Sequence, residues 1–219
     1  MSHPSIATDP AQEALPSSVP AVRKRPKPGE RRIQILQTLA AMLEQPSGER
    51  ITTAALAARL DVSEAALYRH FASKAQMFEG LIDFIEQSVF TLANQIVERE
   101  QPEGPGAGAR QSAIIVAMLM QFAERNPGMA RVMVGDALVF ENERLQQRMN
   151  QFFDKVESTL RQCLRSSPEP ASQTPTSDAQ LRAAVLAAFV TGRLQRFVRS
   201  GFKRLPTEHL DASLNLMLG

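Results

Sequence analysis

Residues 63–78 bring together side chains that are well suited to contact duplex DNA. The turn that begins after Ser63 could read base edges, because serine can bond either partner of a base pair and glutamate can accept from the cytosine amino group. Alanine methyl groups can contact the thymine methyl group. The candidate base-reading residues are Ser63, Glu64, Ala65 and Ala66. None of them is arginine or lysine, so bidentate contact with guanine is not expected from this turn.

Further residues of the same stretch could hold the DNA backbone. Tyr68, His70 and Lys74 carry a hydroxyl, an imidazole and an ammonium group, each of which can bind phosphate oxygens. An isolated histidine more often has a structural role, but the neighbouring tyrosine and lysine favour a phosphate contact for His70. Base selection could also depend on DNA shape and on three residues earlier in the chain: Thr52, Thr53 and Ala55.

Short helices would position these side chains. Apolar residues recur with helical spacing over 33–43, at Ile33, Leu36, Leu39, Ala40 and Leu43. Thr52 or Thr53 can cap a second helix over 54–60, and Ser63 can cap a third helix that reaches residue 69 or 70. Two short helices joined by a tight turn after a longer helix form the helix-turn-helix arrangement. The third helix would then enter the major groove.

The rest of the sequence predicts longer helices and flexible connections. Ser73 and Gln76 fit a capping box that starts a helix ending near residue 99. Its apolar stripe consists of Phe78, Ile82, Ile85, Val89, Leu92 and Ile96, and Phe84 lies well off the centre of this stripe. Further helices are predicted over 110–125, 129–134, 137–165 and 178–203. Loops are predicted over 101–108 and 166–177.

Composition favours an all-α protein and places positive charge near the candidate DNA-binding helices. The 219 residues are 43% hydrophobic, with no tryptophan and one tyrosine, which favours helix over sheet. The net charge is only +2, but residues 23–74 hold ten basic and five acidic residues and so carry +5. Basic residues over 23–27 could lie along phosphates or in the minor groove. We expect a disordered tail over 1–29, a DNA-binding domain over 30–75, and a helical dimerisation and partner-binding domain over 76–219.

The single cysteine and the hydropathy pattern indicate where the protein works. Cys163 cannot form an internal disulfide bond, which is typical of a reducing compartment, although it could equally be a small buried apolar residue. No apolar run reaches the length of a membrane span. We therefore expect a cytoplasmic protein without a membrane segment.

The last long predicted helix carries small residues at four-residue intervals: Ala184, Ala188 and Gly192. Small residues on an apolar ridge allow another helix to come close. That helix could belong to the core of the same chain or to a second copy. We favour a second copy, because helix-turn-helix readers commonly act as symmetric dimers.

The run LYRHFASK over 67–74, within residues 51–81, resembles the DNA-binding domain of TetR-family regulators. This resemblance implies an all-α, TetR-like fold with an N-terminal three-helix DNA-binding domain and a C-terminal helical dimerisation domain. Asp61 stands where the family usually has glycine, and aspartate tolerates the left-handed conformation better than most residues.

Longer stretches, among them FAERNPGMARVMVGDALVFENERLQQRMNQFF and GRLQRFVRSGFK, resemble the nucleoid occlusion factors within that family. The resemblance implies a homodimer that binds palindromic chromosomal sites on double-stranded DNA and prevents the division protein FtsZ from assembling over the nucleoid. The positions that match the FtsZ-facing surface are Phe84, Met118, Gln121 and Arg125. Leu92 and Gln121 depart from the expected basic residue and glycine. Phe84 could alternatively pack beneath the DNA-binding domain.

Two other functions compete with this one. In a ligand-responsive repressor a small molecule would enter the C-terminal domain; the residues that could line such a pocket are Met118, Met120, Met129 and Met133, although methionine at helical spacing is more often core. An enzyme would need a catalytic constellation, and the three histidines, at positions 3, 70 and 209, are far apart in sequence. We expect no catalytic residues, no cofactor and no metal site.

Overall fold

The computed structural model describes residues 29–45, 50–99, 104, 106–166 and 175–219, with the backbone alone at 175 and 176. All regular structure within these residues is helical, which confirms the all-α prediction. The helices in chain order are α1 (Glu30–Leu43), α2 (Thr53–Leu60), α3 (Glu64–Tyr68), α4 (Lys74–Arg99), α5 (Ala107–Arg125), α6 (Pro127–Met133), α7 (Glu143–Ser166), α8 (Pro175–Arg199) and α9 (Leu210–Leu218). A 3-10 turn, Asp136–Leu138, lies between α6 and α7. Residues 1–28 of the predicted tail, including its basic run, lie outside the described residues.

Helices α1 to α3 and the first turns of α4 form a small unit that we call the head. Leu39 of α1, Leu56 of α2 and Leu67 of α3 are buried in one cluster with Phe71. Ile33, which begins the predicted apolar pattern of α1, is 57% exposed, and Ile35 is buried instead. Apolar side chains two residues apart on a helix point in different directions, and the packing of α2 and α4 decides which of them is covered.

Helices α4 to α9 form a second unit that we call the body, and its core is continuous with that of the head. Helices α7 and α8 pack along each other, and α5 contacts α4, α7 and α8. The predicted inward position of Leu92 on α4 is wrong, since it is 40% exposed while Ala93 is buried. The alanine methyl group allows close approach on this side of α4, so the buried stripe passes through Ala93.

Close helix contacts show how the body is oriented relative to the head. A Cβ added at Gly108, near the start of α5, would lie 2.3 Å from the backbone oxygen of Cys163, near the end of α7. A Cβ added at Gly128, just after α5, would lie 2.1 Å from the backbone oxygen of Ala40 in α1. Helix α5 therefore ends against the head, and α7 starts there and runs away from it. We call this part of the body the head end.

The structure corrects two predicted helix boundaries and adds one helix. The helix predicted over 137–165 begins only at Glu143, where the Asn142 side chain accepts a hydrogen bond from the Arg144 backbone N–H (3.0 Å). Helix α8 ends at Arg199 rather than residue 203, because Gly201 and Phe202 adopt positive φ angles. Helix α9 was not predicted, although its buried leucines recur every four residues, at Leu210, Leu214 and Leu218.

Candidate nucleic-acid interface

The two short helices of the head are capped by the hydroxyl groups that the sequence suggested. Thr52 Oγ1 accepts a hydrogen bond from the Ala55 backbone N–H (3.1 Å), and Ser63 Oγ accepts one from Ala66 (3.3 Å). Such caps stabilise a helix by about 1 kcal/mol each. Between the helices Asp61 adopts the left-handed conformation, with φ of 54°. The tight turn of a helix-turn-helix unit is therefore present between α2 and α3.

The first turn of α3 presents its candidate base-reading side chains at the surface. Glu64 and Ala65 are exposed, Ala66 is partly buried, and Leu67 is fully buried as the anchor of the helix. Thr53 Oγ1 donates a hydrogen bond of 2.6 Å to the Glu64 carboxylate. This bond connects α2 to α3 and fixes the orientation of the Glu64 carboxylate. The second oxygen of this carboxylate can still accept a hydrogen bond from the cytosine amino group.

The phosphate candidates at the end of α3 differ from one another in what they contact. Tyr68 is 45% exposed and His70 is exposed, so both side chains can reach a ligand in solution. Arg32 donates a hydrogen bond to the backbone oxygen of His70 (2.8 Å), and its guanidinium carbon lies 4.0 Å from the centroid of the Phe71 ring. Arg32 thereby holds the end of α3 against α1. Its partner is 38 residues away, so sequence reasoning missed this role.

Lys74 does not have the surroundings that we expected for a phosphate contact. Its Nζ forms an ion pair with Glu141 of the body, and its side chain is only 18% exposed. The Glu141 carboxylate is 8% exposed and also lies 3.8 Å from Nε of Arg50, which donates to the backbone oxygen of Phe140. We call Arg50, Lys74 and Glu141 the head–body clamp. The geometry therefore shows a contact between head and body for the Lys74 side chain, and its phosphate contact stays a prediction.

The start of α4 carries half of the predicted capping box. Ser73 Oγ accepts from the Gln76 backbone N–H (3.2 Å), as predicted. Gln76 Oε1, however, accepts from the backbone N–H of Ala72 (2.8 Å), one residue before the cap. Hydrogen bonds of Gln76 with Ala72 and Ser73 therefore fix the start of α4, at the junction between the head and the body.

The candidate partner surface lies on α4 and α5. Phe84 is 48% exposed, so it does not pack beneath the head. Met118 is partly buried, whereas Gln121 and Arg125 are exposed, and their spacing places all three on one face of α5. Helices α4 and α5 pack together. Ile114, which is also exposed and on the same face of α5, extends this surface and was missed in the sequence.

Salt bridges between α4 and α7 fix the part of α4 that carries Phe84. Arg148 binds Asp83 through Nη1 (2.9 Å) and Glu86 through Nη2 (2.7 Å). Burial opposes the charged guanidinium, but the two carboxylates outweigh this effect and raise the pKa of Arg148. Arg144 forms a further ion pair with Glu79.

The candidate dimer surface is an exposed stripe on α8. Ala184, Ala188 and Gly192 are exposed, and nothing lies within 4 Å of a Cβ added at Gly192. Leu181 and Val185 on the same stripe are exposed as well, at 66% and 45%. Since no described residue of this chain covers these side chains, the stripe is available to a second copy.

The body interior is packed where the repressor alternative would need a pocket. Met120 and Met133 are fully buried core residues, and Met118 and Met129 pack against the same core. The described clefts are open ones at the surface, lined mainly by polar side chains. Among the described residues there is no cluster of histidine, cysteine and carboxylate side chains that could hold a metal ion, and no helix is long and apolar enough to cross a membrane.

Family models match both units. Residues 35–81 match the model described as bacterial regulatory proteins, tetR family, and residues 109–218 match the SlmA-like model described as tetracyclin repressor-like, C-terminal domain. Similar solved structures include the regulator FadR from Bacillus subtilis in complex with stearoyl-CoA (TM-score 0.63, 13% identity, 85% of this chain and 97% of that one) and PfmR from Thermus thermophilus (TM-score 0.63, 18% identity, 84% and 97%). The fold and the capped reading turn thus define a DNA-binding regulator of the TetR class.

Similarity to curated proteins narrows this class. The nucleoid occlusion factor SlmA of Idiomarina loihiensis is 50% identical over 187 residues, which cover 85% of this chain and 93% of the relative. The nucleoid occlusion factor SlmA of Vibrio cholerae is 50% identical over 182 residues, covering 83% and 90%. The chain belongs to the SlmA family of nucleoid occlusion factors.

Proposed function

We propose that this protein binds palindromic chromosomal sites as a homodimer and, while bound, antagonises the assembly of FtsZ over the nucleoid. The observation that carries the proposal is the half-exposed Phe84 on α4, on a surface separate from the reading turn of α3 and from the stripe on α8. An exposed aromatic side chain that the fold does not need is typical of a protein–protein contact. The curated relatives that share about half of the residues of this chain bear the name nucleoid occlusion factor.

In this proposal α3 reads the DNA and the residues around it hold the backbone. Glu64, Ala65 and Ala66 face the bases, and Thr53 both contacts the DNA and orients the Glu64 carboxylate. The hydroxyl groups of Thr52 and Ser63 mainly cap their helices. Tyr68 and His70 bind phosphates. The palindrome follows from the two-fold symmetry of the dimer, which the α8 stripe with Ala184, Ala188 and Gly192 would form.

Sedimentation of FtsZ polymers tests the proposal. The polymers are pelleted with the protein alone, with operator DNA alone, and with both together. We expect fewer polymers in the pellet when both are present. Polymers that remain intact, combined with a metabolite that releases the protein from DNA, would favour the ligand-responsive repressor instead.

Substitutions at the partner surface separate FtsZ binding from DNA binding. Phe84→Ala and Arg125→Ala should lose the effect on FtsZ while keeping the affinity for operator DNA, because neither residue belongs to the head. Leu216→Ala is the matched control, since Leu216 is an 88% exposed apolar side chain on α9. Loss of both activities in the Phe84 variant would indicate misfolding and would remove support for a separate partner surface.

A conservative substitution tests the phosphate contacts. Tyr68→Phe removes one hydroxyl group and should weaken binding to operator and non-operator DNA alike by about fivefold, the equivalent of a hydrogen bond of about 1 kcal/mol. Fluorescence anisotropy with labelled duplexes measures both affinities. Unchanged affinity at moderate salt would exclude the contact.

A further inference from the structure

The chain between α8 and α9 forms a basic cleft together with Arg196, which follows Gly192 of the candidate dimer stripe by one helical turn. The cleft is open and has a volume of about 660 Å³, within the range of sites that bind small ligands or a few residues of a peptide. Its lining residues are Arg196, Lys203, Arg204, Leu205, Thr207, Glu208 and His209. We refer to this set as the basic cleft.

A network around Ser200 holds the cationic residues of the cleft in place. Ser200 Oγ donates to the backbone oxygen of Phe197 (2.8 Å) and accepts from the backbone N–H groups of Lys203 (3.1 Å) and Arg204 (2.9 Å). The Phe202 ring packs on Phe197 with 5.2 Å between centroids. The backbone that carries the two cations is therefore fixed by hydrogen bonds and by packing, so a ligand need not order it on binding.

The cationic charge of the cleft is largely uncompensated. The lining residues include three basic ones, Arg196, Lys203 and Arg204, and one acidic one, Glu208. Glu208 lies 3.8 Å from Nη2 of Arg196, and no described acidic side chain forms an ion pair with Lys203 or Arg204. Burial, and next the neighbouring positive charge of Arg196, lower the pKa of Arg193 beside the cleft. The arrangement favours an anionic ligand.

The cleft lies at the head end of the body, next to the candidate partner surface. Thr207 Oγ1 donates a hydrogen bond of 2.5 Å to the carboxylate of Glu124 near the end of α5. Arg125, the following residue, belongs to the candidate partner surface. A ligand bound on α5 could therefore continue into the basic cleft.

We infer that the basic cleft binds an acidic peptide segment of a protein partner, with an apolar side chain of that segment placed against Leu205. Leu205 is 44% exposed and gives the cleft an apolar wall, which a peptide can use and a phosphate backbone cannot. The Glu208 carboxylate can accept hydrogen bonds from peptide N–H groups, which a phosphate backbone does not have. That FtsZ carries this segment rests on the proposed function. The acidic and apolar character of the segment does not, because it is inferred from the lining of the cleft.

A labelled peptide that alternates glutamate and leucine tests this chemistry without FtsZ. Its binding to the full-length protein is compared with that of a peptide in which glutamine replaces every glutamate. We expect only the acidic peptide to bind. Lys203→Glu/Arg204→Glu should weaken its binding about tenfold or more at low salt, because two attractive charges become repulsive ones. Equal binding of both peptides, or unchanged binding in the variant, would overturn the inference.

A charge reversal at the opposite end of the body is the matched control. Arg161→Glu/Arg165→Glu changes the charge by the same amount on α7, in a different cleft, and should leave peptide binding unchanged. Both double variants are also assayed for operator affinity and dimer dissociation. A loss of operator affinity confined to the Lys203/Arg204 variant would assign the cleft to DNA phosphates, and a change in dimer dissociation would assign it to the second copy; either result rejects the peptide assignment.

The FtsZ assay separates failure of this inference from failure of the proposed function. If FtsZ responds to the wild-type protein and to Lys203→Glu/Arg204→Glu alike, but not to Phe84→Ala, FtsZ does not carry the segment that binds in the cleft, while the proposed function stands. If the protein never affects FtsZ but the acidic peptide binds in the cleft, the cleft serves another partner and the proposed function fails.

Discussion

Gly128 allows the body to pack directly on the backbone of the head, and we predict that Gly128→Ala forces these two units apart. A Cβ at this position would lie 2.1 Å from the backbone oxygen of Ala40, whereas ordinary contact begins at 3.4 Å. The difference requires helices α6 and α1 to separate by about 1.3 Å. Separation by roughly 0.5–1 Å already forfeits a quarter to a half of the dispersion energy of an atom pair. Overpacking typically costs about 1–3 kcal/mol. We expect a cost in the upper half of this range, because the obstacle is a backbone atom that cannot rotate away.

Gly80→Ala is a matched control for this prediction. Gly80 lies in α4 and also faces α1, but an added Cβ would meet the side-chain tips of Leu36 at 3.0 and 3.1 Å. A leucine tip can rotate away, whereas the peptide group of Ala40 cannot. Alanine also gains up to about 1 kcal/mol of helix propensity over glycine. We therefore expect the Gly80 variant to unfold within about 1 kcal/mol of the wild-type protein.

Urea denaturation followed by circular dichroism measures both variants. All samples need the same protein concentration, because dimer formation adds to the apparent stability. The Gly128 variant should unfold with a free energy lower by about 2–3 kcal/mol, and its operator affinity should fall because the head changes its orientation on the body. A Gly128 variant as stable as the Gly80 variant would show that α6 does not pack on the α1 backbone as described.

Three further predictions concern the clamp, the tight turn and the cysteine. Glu141→Gln should lower the unfolding free energy by about 1–3 kcal/mol, because Lys74 and Arg50 lose their carboxylate partner; unchanged urea stability would show that the pair contributes little. Asp61→Ala should cost about 1 kcal/mol, since alanine lacks the short polar side chain whose local hydrogen bonding makes the left-handed conformation tolerable for aspartate. Asp61→Gly removes the Cβ and should cost none, and thermal unfolding distinguishes the two variants. Burial raises the pKa of the Cys163 thiol, so less of the reactive thiolate is present at a given pH. Ellman's reagent should therefore react only as the protein unfolds, and rapid reaction of the native protein would mean that α7 opens.

The head could be predicted closely because its signals are local in sequence. Thr52 and Ser63 each precede the helix that they cap by one residue, and the bond that forms the cap spans three residues. Asp61 occupies the only left-handed position between α2 and α3. The exposure of Ile33 shows where local reasoning ends, because periodicity identifies a helix but not which of two adjacent stripes its neighbours will cover.

The surroundings of the candidate partner and dimer residues could not be predicted in this way. The sequence left open whether Phe84 packs beneath the head and whether the small residues of α8 face the core. Both answers depend on how distant helices pack, and the structure leaves Phe84 and Ala188 exposed. The salt bridges of Arg148 to α4 span more than 60 residues, so no spacing rule identifies them.

Lys74 illustrates how a motif residue can also make a contact that its motif does not indicate. Its position at the start of α4, beside the reading helix, favoured a phosphate ligand. Releasing Lys74 from Glu141, however, would leave a largely buried carboxylate with only Arg50, at 3.8 Å, as its cationic partner. Removing one partner of a buried ion pair costs about 3–5 kcal/mol, an upper bound here since Arg50 remains, whereas an exposed ion pair returns at most about 1 kcal/mol. Lys74 should therefore stay with Glu141 when DNA binds, and its substitution should affect stability while leaving the salt dependence of DNA binding unchanged.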